Sequence, residues 1–97
     1  MLDQMGQMKQ LYDKYKKLQD ALKSLIIRSR EDGILIDMSG EMDITDVKIE
    51  DETLLSVENK EKLETAFINT YRKAKTKAQQ ISMEKTKEIL GFDPQDM

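Results

Sequence analysis

Residues 25–50 read LIIRSREDGILIDMSGEMDITDVKIE, and this stretch decides the fold. At its centre stands Asp32-Gly33. Both residues tolerate positive φ, so the pair is a strong signal for a two-residue β-hairpin turn. On its N-terminal side Leu25–Glu31 carries the β-branched pair Ile26-Ile27 near its start and then alternates through Arg28-Ser29-Arg30. On its C-terminal side Ile34, Ile36 and Met38 share one face of a second strand. Gly40-Glu41 supplies a second turn, and residues 42–50 form a third strand with Val47 and Ile49 on one face. Met42 and Ile44 fall on the opposite parity, which predicts a bulge or a switch of face near Thr45-Asp46. The stretch therefore reads as a three-stranded antiparallel meander over 25–50.

The flanks change period. Upstream, Met8, Leu11, Tyr15, Leu18, Leu22 and Leu25 recur at steps of three and four. That spacing puts them on one stripe of an amphipathic helix over about 2–24. Met5 and Met8 are expected in an adaptable apolar seam. Downstream, Asp51-Glu52-Thr53 breaks the third strand, and Leu54-Leu55 is expected to plug the sheet end. A second helix is expected over 57–90, capped at Ser56 or Asn59, ended by Gly91 and kept from resuming by Pro94. Its stripe is Leu63, Phe67, Tyr71, Ala74, Ala78 and Ile81, after which Lys85 carries the register with a charge. The fold class is α+β within one domain, residues 1–97, with a tail at 91–97.

The second helix would be about 48 Å long at ~1.5 Å per residue. One small sheet cannot cover it. Its distal half is expected to project or to pair with another chain, which favours a homodimer over packing of the two helices within one chain.

Composition narrows the chemistry. The 97 residues include neither His nor Cys, and only four Gly. Thiol nucleophiles, imidazole bases, zinc sites built on those ligands and Gly-rich phosphate loops are thereby excluded. An enzyme is not expected, nor is a cofactor or a small-molecule substrate. No strictly apolar run exceeds three residues, as at Leu25-Ile26-Ile27, so no membrane partner is expected and the expected location is cytoplasmic.

Sixteen Lys and Arg stand against nineteen Asp and Glu, a net charge of −3 that hides a strong segregation. Residues 8–30 carry seven cations against two acids, and residues 72–87 carry six against one. Residues 31–64 carry twelve acids against three lysines. The helices are basic and the sheet with its flanks is acidic. Clustered helical lysines neutralise phosphates and release counterions, which gives affinity without base readout. The acids show no cation-loop spacing and are expected to keep sheet edges from aggregating.

The order of helix, meander and long helix carries a family likeness. Gln7-Met8-Lys9-Gln10 opens the first helix, and Ser39-Gly40-Glu41 leads into Ile44-Thr45-Asp46-Val47-Lys48-Ile49, followed by Leu54-Leu55. Lys62-Leu63-Glu64, Ala66-Phe67-Ile68-Asn69 and Arg72-Lys73-Ala74 follow in the second helix. Together these resemble the YbaB/EbfC family of bacterial nucleoid-associated proteins over nearly the whole chain. Two features depart from the family pattern: Glu50-Asp51-Glu52 stands where an Asp-Pro is common, and the Gly-rich tail is reduced to 91–97.

The resemblance implies a tweezer-like homodimer joined through its sheets, whose helices contact double-stranded DNA with little sequence specificity. It also implies a nucleoid location and an influence on gene expression. The residues expected to contact phosphate are Lys9, Lys14, Lys16 and Lys17 on the first helix. On the second they are Arg72, Lys73, Lys75, Lys77, Lys85 and Lys87. The competing expectation is a helix–hairpin–helix module, broadly prefoldin-like, that grips partner proteins and not DNA.

Overall fold

The computed structural model describes residues 2–91, with side chains described from residue 5. The expected Pro94 stop and the tail at 92–97 lie outside the described residues. Helix α1 spans Leu2–Ser24, followed by strands β1 (Ile27–Glu31), β2 (Ile34–Met38) and β3 (Ile44–Ile49). Two short 3₁₀ turns, Glu52–Leu55 and Val57–Asn59, lead into helix α2, Lys60–Leu90. The architecture is α+β, as the sequence pattern indicates. The long helix starts three residues later than expected because the 3₁₀ turns take up its first residues. Ser56 accepts a hydrogen bond from the Asn59 amide at the second of these turns, while Asn59 itself makes no side-chain cap for α2.

The strands form one antiparallel sheet in the order β1-β2-β3. Asp32 (φ 52°) and Gly33 (φ 87°) make the β1–β2 turn with both residues left-handed, as a type I′ hairpin demands. Ile36 faces Ser29 on one side and Val47 on the other. The register slips between Asp37↔Asp46 and Met38↔Ile44, so Thr45 is the extra residue of a bulge. Its hydroxyl donates to the Asp37 carbonyl at 3.2 Å. This is the bulge that the parity change at Ile44 foretells.

Ile34, Ile36 and Met38 on β2, with Ile27 on β1, are buried against Ala66, Ala74 and Ala78 of α2. Leu54 closes one end of this core, whereas Leu55 is exposed. The buried row of α2 is thus mostly alanine, with Thr70 fully buried among them. Phe67 and Tyr71, expected on the stripe, sit on its flank and keep 39% and 36% of their surface in water. Small residues let the helix lie close on the sheet, and the large rings have no room beneath it.

The distal part of α2 does not project. Ile81, Ser82, Lys85, Thr86 and Ile89 are partly buried where α2 meets α1, and Leu18 of α1 is buried. The expectation that this half would need another chain is corrected here: the C-terminal part of α1 covers it. Gly40 fastens the junction. Its amide donates to the Leu22 carbonyl at 2.8 Å, and its own carbonyl accepts from the Ser82 hydroxyl at 2.6 Å. Gly91 ends α2 in the left-handed region, its amide donating to the Lys87 carbonyl.

What projects instead is the N-terminal part of α1. Met5, Met8, Leu11, Tyr12 and Tyr15 are all exposed. The molecule measures 68 × 23 × 14 Å, and its radius of gyration is 18.6 Å. A compact chain of about 100 residues has a radius near ~13 Å, so this is a rod.

A candidate nucleic-acid interface on the helices

On α1, Lys9, Lys14, Lys16 and Lys17 are exposed. Lys9, Lys16 and Lys23 are seven apart, about two helical turns, and so form a row opposite the Leu11–Leu18–Leu25 stripe. On α2, Arg72 and Lys75 face solvent, and Arg72 lines a shallow groove of about 390 Å³ with Lys73, Thr76, Lys77 and Gln80. Arg72, Lys73 and Lys77 are the sequence-expected cations that the structure brings together there. The α1 lysines lie apart from that groove, along the projecting rod. Lys85 is partly covered and makes a 3.5 Å ion pair with Glu88 one turn on. Lys87 lies in the last turn of α2.

Lys73 and Lys77 are not simply solvated. The Lys73 ammonium donates to the Arg30 carbonyl at 3.1 Å and to a Glu31 carboxylate oxygen at 3.2 Å. The Lys77 ammonium donates to the Arg28 carbonyl at 2.8 Å. Helical spacing marks these lysines as neighbours, but only the placement of β1 beside them reveals their acceptors.

The sheet also contributes two arginines, both neutralised. Arg28 forms a two-pronged pair with Asp37 on β2. That guanidinium holds the Asp37 carboxyl below its ordinary value despite its burial. Arg30 pairs with Glu50 at 2.9 Å. Leu35 is buried on the opposite parity to Ile34 and Ile36, with Arg30 and Lys48 as its cross-strand partners.

A second concavity, about 600 Å³, lies between the Asp32–Gly33 turn and the first turns of α2. Asp32, Asp51 and Glu61 line it against one lysine, Lys62, so its charge repels phosphate. Asp51 is already engaged: it accepts from the Thr53 hydroxyl at 2.6 Å and the Thr53 amide at 3.0 Å, which holds its carboxyl below the usual range. Among the described residues no cluster of three or more acids could hold a metal ion, and no helix is long and apolar enough to cross a membrane.

The likeness to known proteins agrees with this arrangement. The chain is 32% identical over 96 residues to the nucleoid-associated protein bll8115 of Bradyrhizobium diazoefficiens, a match covering 94% of this chain and 90% of that one. The model of the YbaB/EbfC DNA-binding family matches residues 1–92, helices and sheet together. On these grounds the chain belongs to the YbaB/EbfC DNA-binding family.

Proposed function

We propose that the protein binds double-stranded DNA as a homodimer, with little sequence specificity, as a nucleoid-associated protein of the cytoplasm that influences gene expression. One observation carries the reading. The cations are segregated onto two long helices of a rod, while the sheet's own arginines are neutralised by Asp37 and Glu50. Lys9, Lys14, Lys16 and Lys17 of α1 and Arg72 and Lys75 of α2 are the principal phosphate contacts. Lys73, Lys77, Lys85 and Lys87 add to the field around them. Such contacts position a duplex without reading base edges.

The dimer forms across β3. α2 packs on β1 and β2 and leaves β3 outside its footprint. Ile44, Val47 and Ile49 continue the apolar face of Ile34, Ile36 and Met38, yet each keeps 37–42% of its surface exposed. Phe67 and Tyr71 flank the same side of α2. A second copy seated there would bury both rows. The prefoldin-like alternative calls for two helices paired along their length, whereas among the described residues the side chains of α1 are exposed up to Lys17 and become covered only from Leu18 onward.

Fluorescence anisotropy with a labelled mixed-sequence duplex tests DNA binding. Micromolar or tighter binding in low salt is expected, with log K falling by roughly 0.9 per phosphate neutralised as log salt rises. No binding at micromolar protein in low salt would reject the reading.

A further inference from the structure

The two edges of the sheet are treated differently. In a two-residue hairpin the residues flanking the turn, Glu31 and Ile34, spend their backbone groups on each other. Alternation then directs those of Ser29 and Ile27 inward as well. The backbone groups of Arg28 and Arg30 point away from β2, out of the β1 edge. Their two carbonyls are the ones that Lys77 and Lys73 reach.

The match is one of pitch. Strand residues two apart lie about 6.6 Å from each other, and helix residues four apart about 6 Å. An i, i+4 row on α2 can therefore follow every second residue of β1. Asn69 donates to the Asp32 carboxylate at 3.2 Å, Lys73 reaches Arg30 and Lys77 reaches Arg28. Beside this row the Thr70 hydroxyl lies 2.9 Å from the Glu31 carbonyl.

The β3 edge has no such row. Ile34, Ile36 and Met38 spend their backbone groups on β1, so Leu35 and Asp37 spend theirs on Lys48 and Asp46. The groups of Val47 and Ile49 then point outward. Among the described residues no side chain hydrogen-bonds to them.

We propose that Lys73 and Lys77 act as strand-edge caps: their ammoniums occupy the outward carbonyls of β1, close that edge to strand addition, and leave β3 as the one edge at which a second copy joins. An open sheet edge is a template for pairing with another chain, and a lysine beside it is a known deterrent. With one edge closed, association through β3 ends at a closed pair. With both open, β1 of one copy can meet β3 of the next, and such head-to-tail contacts do not close. Only the identity of the chain meeting β3 rests on the dimer reading above.

Sedimentation velocity over a concentration series, without DNA, tests this on K73M/K77M, which keeps most of each stem and removes the ammonium. R72M/K75M removes the same charge from the solvent face as a control. K73M/K77M is expected to associate with concentration to about twice the wild-type mass or more, since the smallest new assembly joins two wild-type units. R72M/K75M is expected to keep the wild-type mass. Adding Arg30→Pro to K73M/K77M removes an outward N–H from β1 and should restore the wild-type mass.

A folded K73M/K77M that sediments as wild type at every concentration overturns the proposal. If the double variant fails to fold, K73M and K77M alone decide it by the same comparison. The wild-type mass judges the dimer separately: a monomeric wild type beside an associating variant rejects the dimer and retains the edge caps.

Discussion

Arg28 on β1 holds Asp37 on β2 through two parallel hydrogen bonds, Nε to Oδ1 at 2.9 Å and Nη2 to Oδ2 at 3.0 Å. Asp37 is buried, and the hydrogen bond from Arg28 is the main reason its carboxyl is held below the usual carboxylate range. A carboxyl depressed in the folded state contributes fully above its unfolded value and loses that contribution as pH falls through the folded one. Asp37→Asn is expected to lower Tm at pH 7 and to flatten the fall in stability below about pH 4. Thermal melts of both proteins from pH 7 to pH 2.5 check this. Parallel curves over the acid limb would refute it.

Ala74 and Ala78 are fully buried under the sheet and set the distance between α2 and β2. Ala74→Leu has no cavity to fill, so it is expected to destabilise the fold by about 1–3 kcal/mol. A urea titration measures it, and an unchanged midpoint would show that the helix can lift without cost.

Gly40 lies against α1 so closely that a Cβ would stand 2.8 Å from the Leu22 carbonyl oxygen and 3.0 Å from the Leu22 Cα. Backbone cannot rotate away as a side-chain tip can. Gly40→Ala is expected to loosen α1 from the sheet, with faster hydrogen exchange at the Gly40-position amide and at Leu25. Exchange rates equal to wild type would refute it.

Val47 is half exposed in the centre of β3, on the face shared with Ile36. Val47→Glu puts a charge where the second copy is proposed to sit, yet leaves the α2-covered core untouched. A folded monomer by light scattering is expected. A V47E protein with the wild-type mass would exclude β3 from the interface.

Arg72 and Lys75 face solvent, whereas the Lys73 and Lys77 ammoniums are directed to β1. R72E/K75E is expected to weaken DNA binding and to reduce the slope of log K against log salt by roughly 0.9 for each phosphate no longer neutralised. K9E/K16E should act in the same sense on α1. Wild-type slopes in both variants would remove these residues from the interface.

Much of the fold is legible in local chemistry. Asp32-Gly33 calls for a left-handed turn, the period-two run after it calls for a strand, and the changed parity at Ile44 points to an irregularity that the register resolves as a bulge at Thr45. The heptad steps from Met8 to Leu25 fit a helix, observed over Leu2–Ser24. Each signal lies within a few residues of the structure it specifies. The family likeness is legible for the same reason, since it is carried by short stretches in a given order.

The partner of each face is not local, and only the tertiary structure decided it. Periodicity places Phe67 and Tyr71 on the core stripe of α2, but the close fit of Ala74 and Ala78 to the sheet pushes both rings to the flank. The distal half of α2 is covered by α1 through a junction at Gly40 that no pattern in either helix announces. Lys73 and Lys77 look in sequence like any other helical lysines. They become edge-directed because a four-residue step on α2 nearly equals a two-residue step on β1, a coincidence of pitch that exists only once helix and strand lie side by side. The sequence by itself determined which residues carry charge and which elements form. Which charges remain for a ligand, and which sheet edge stays open, depended on how those elements were stacked.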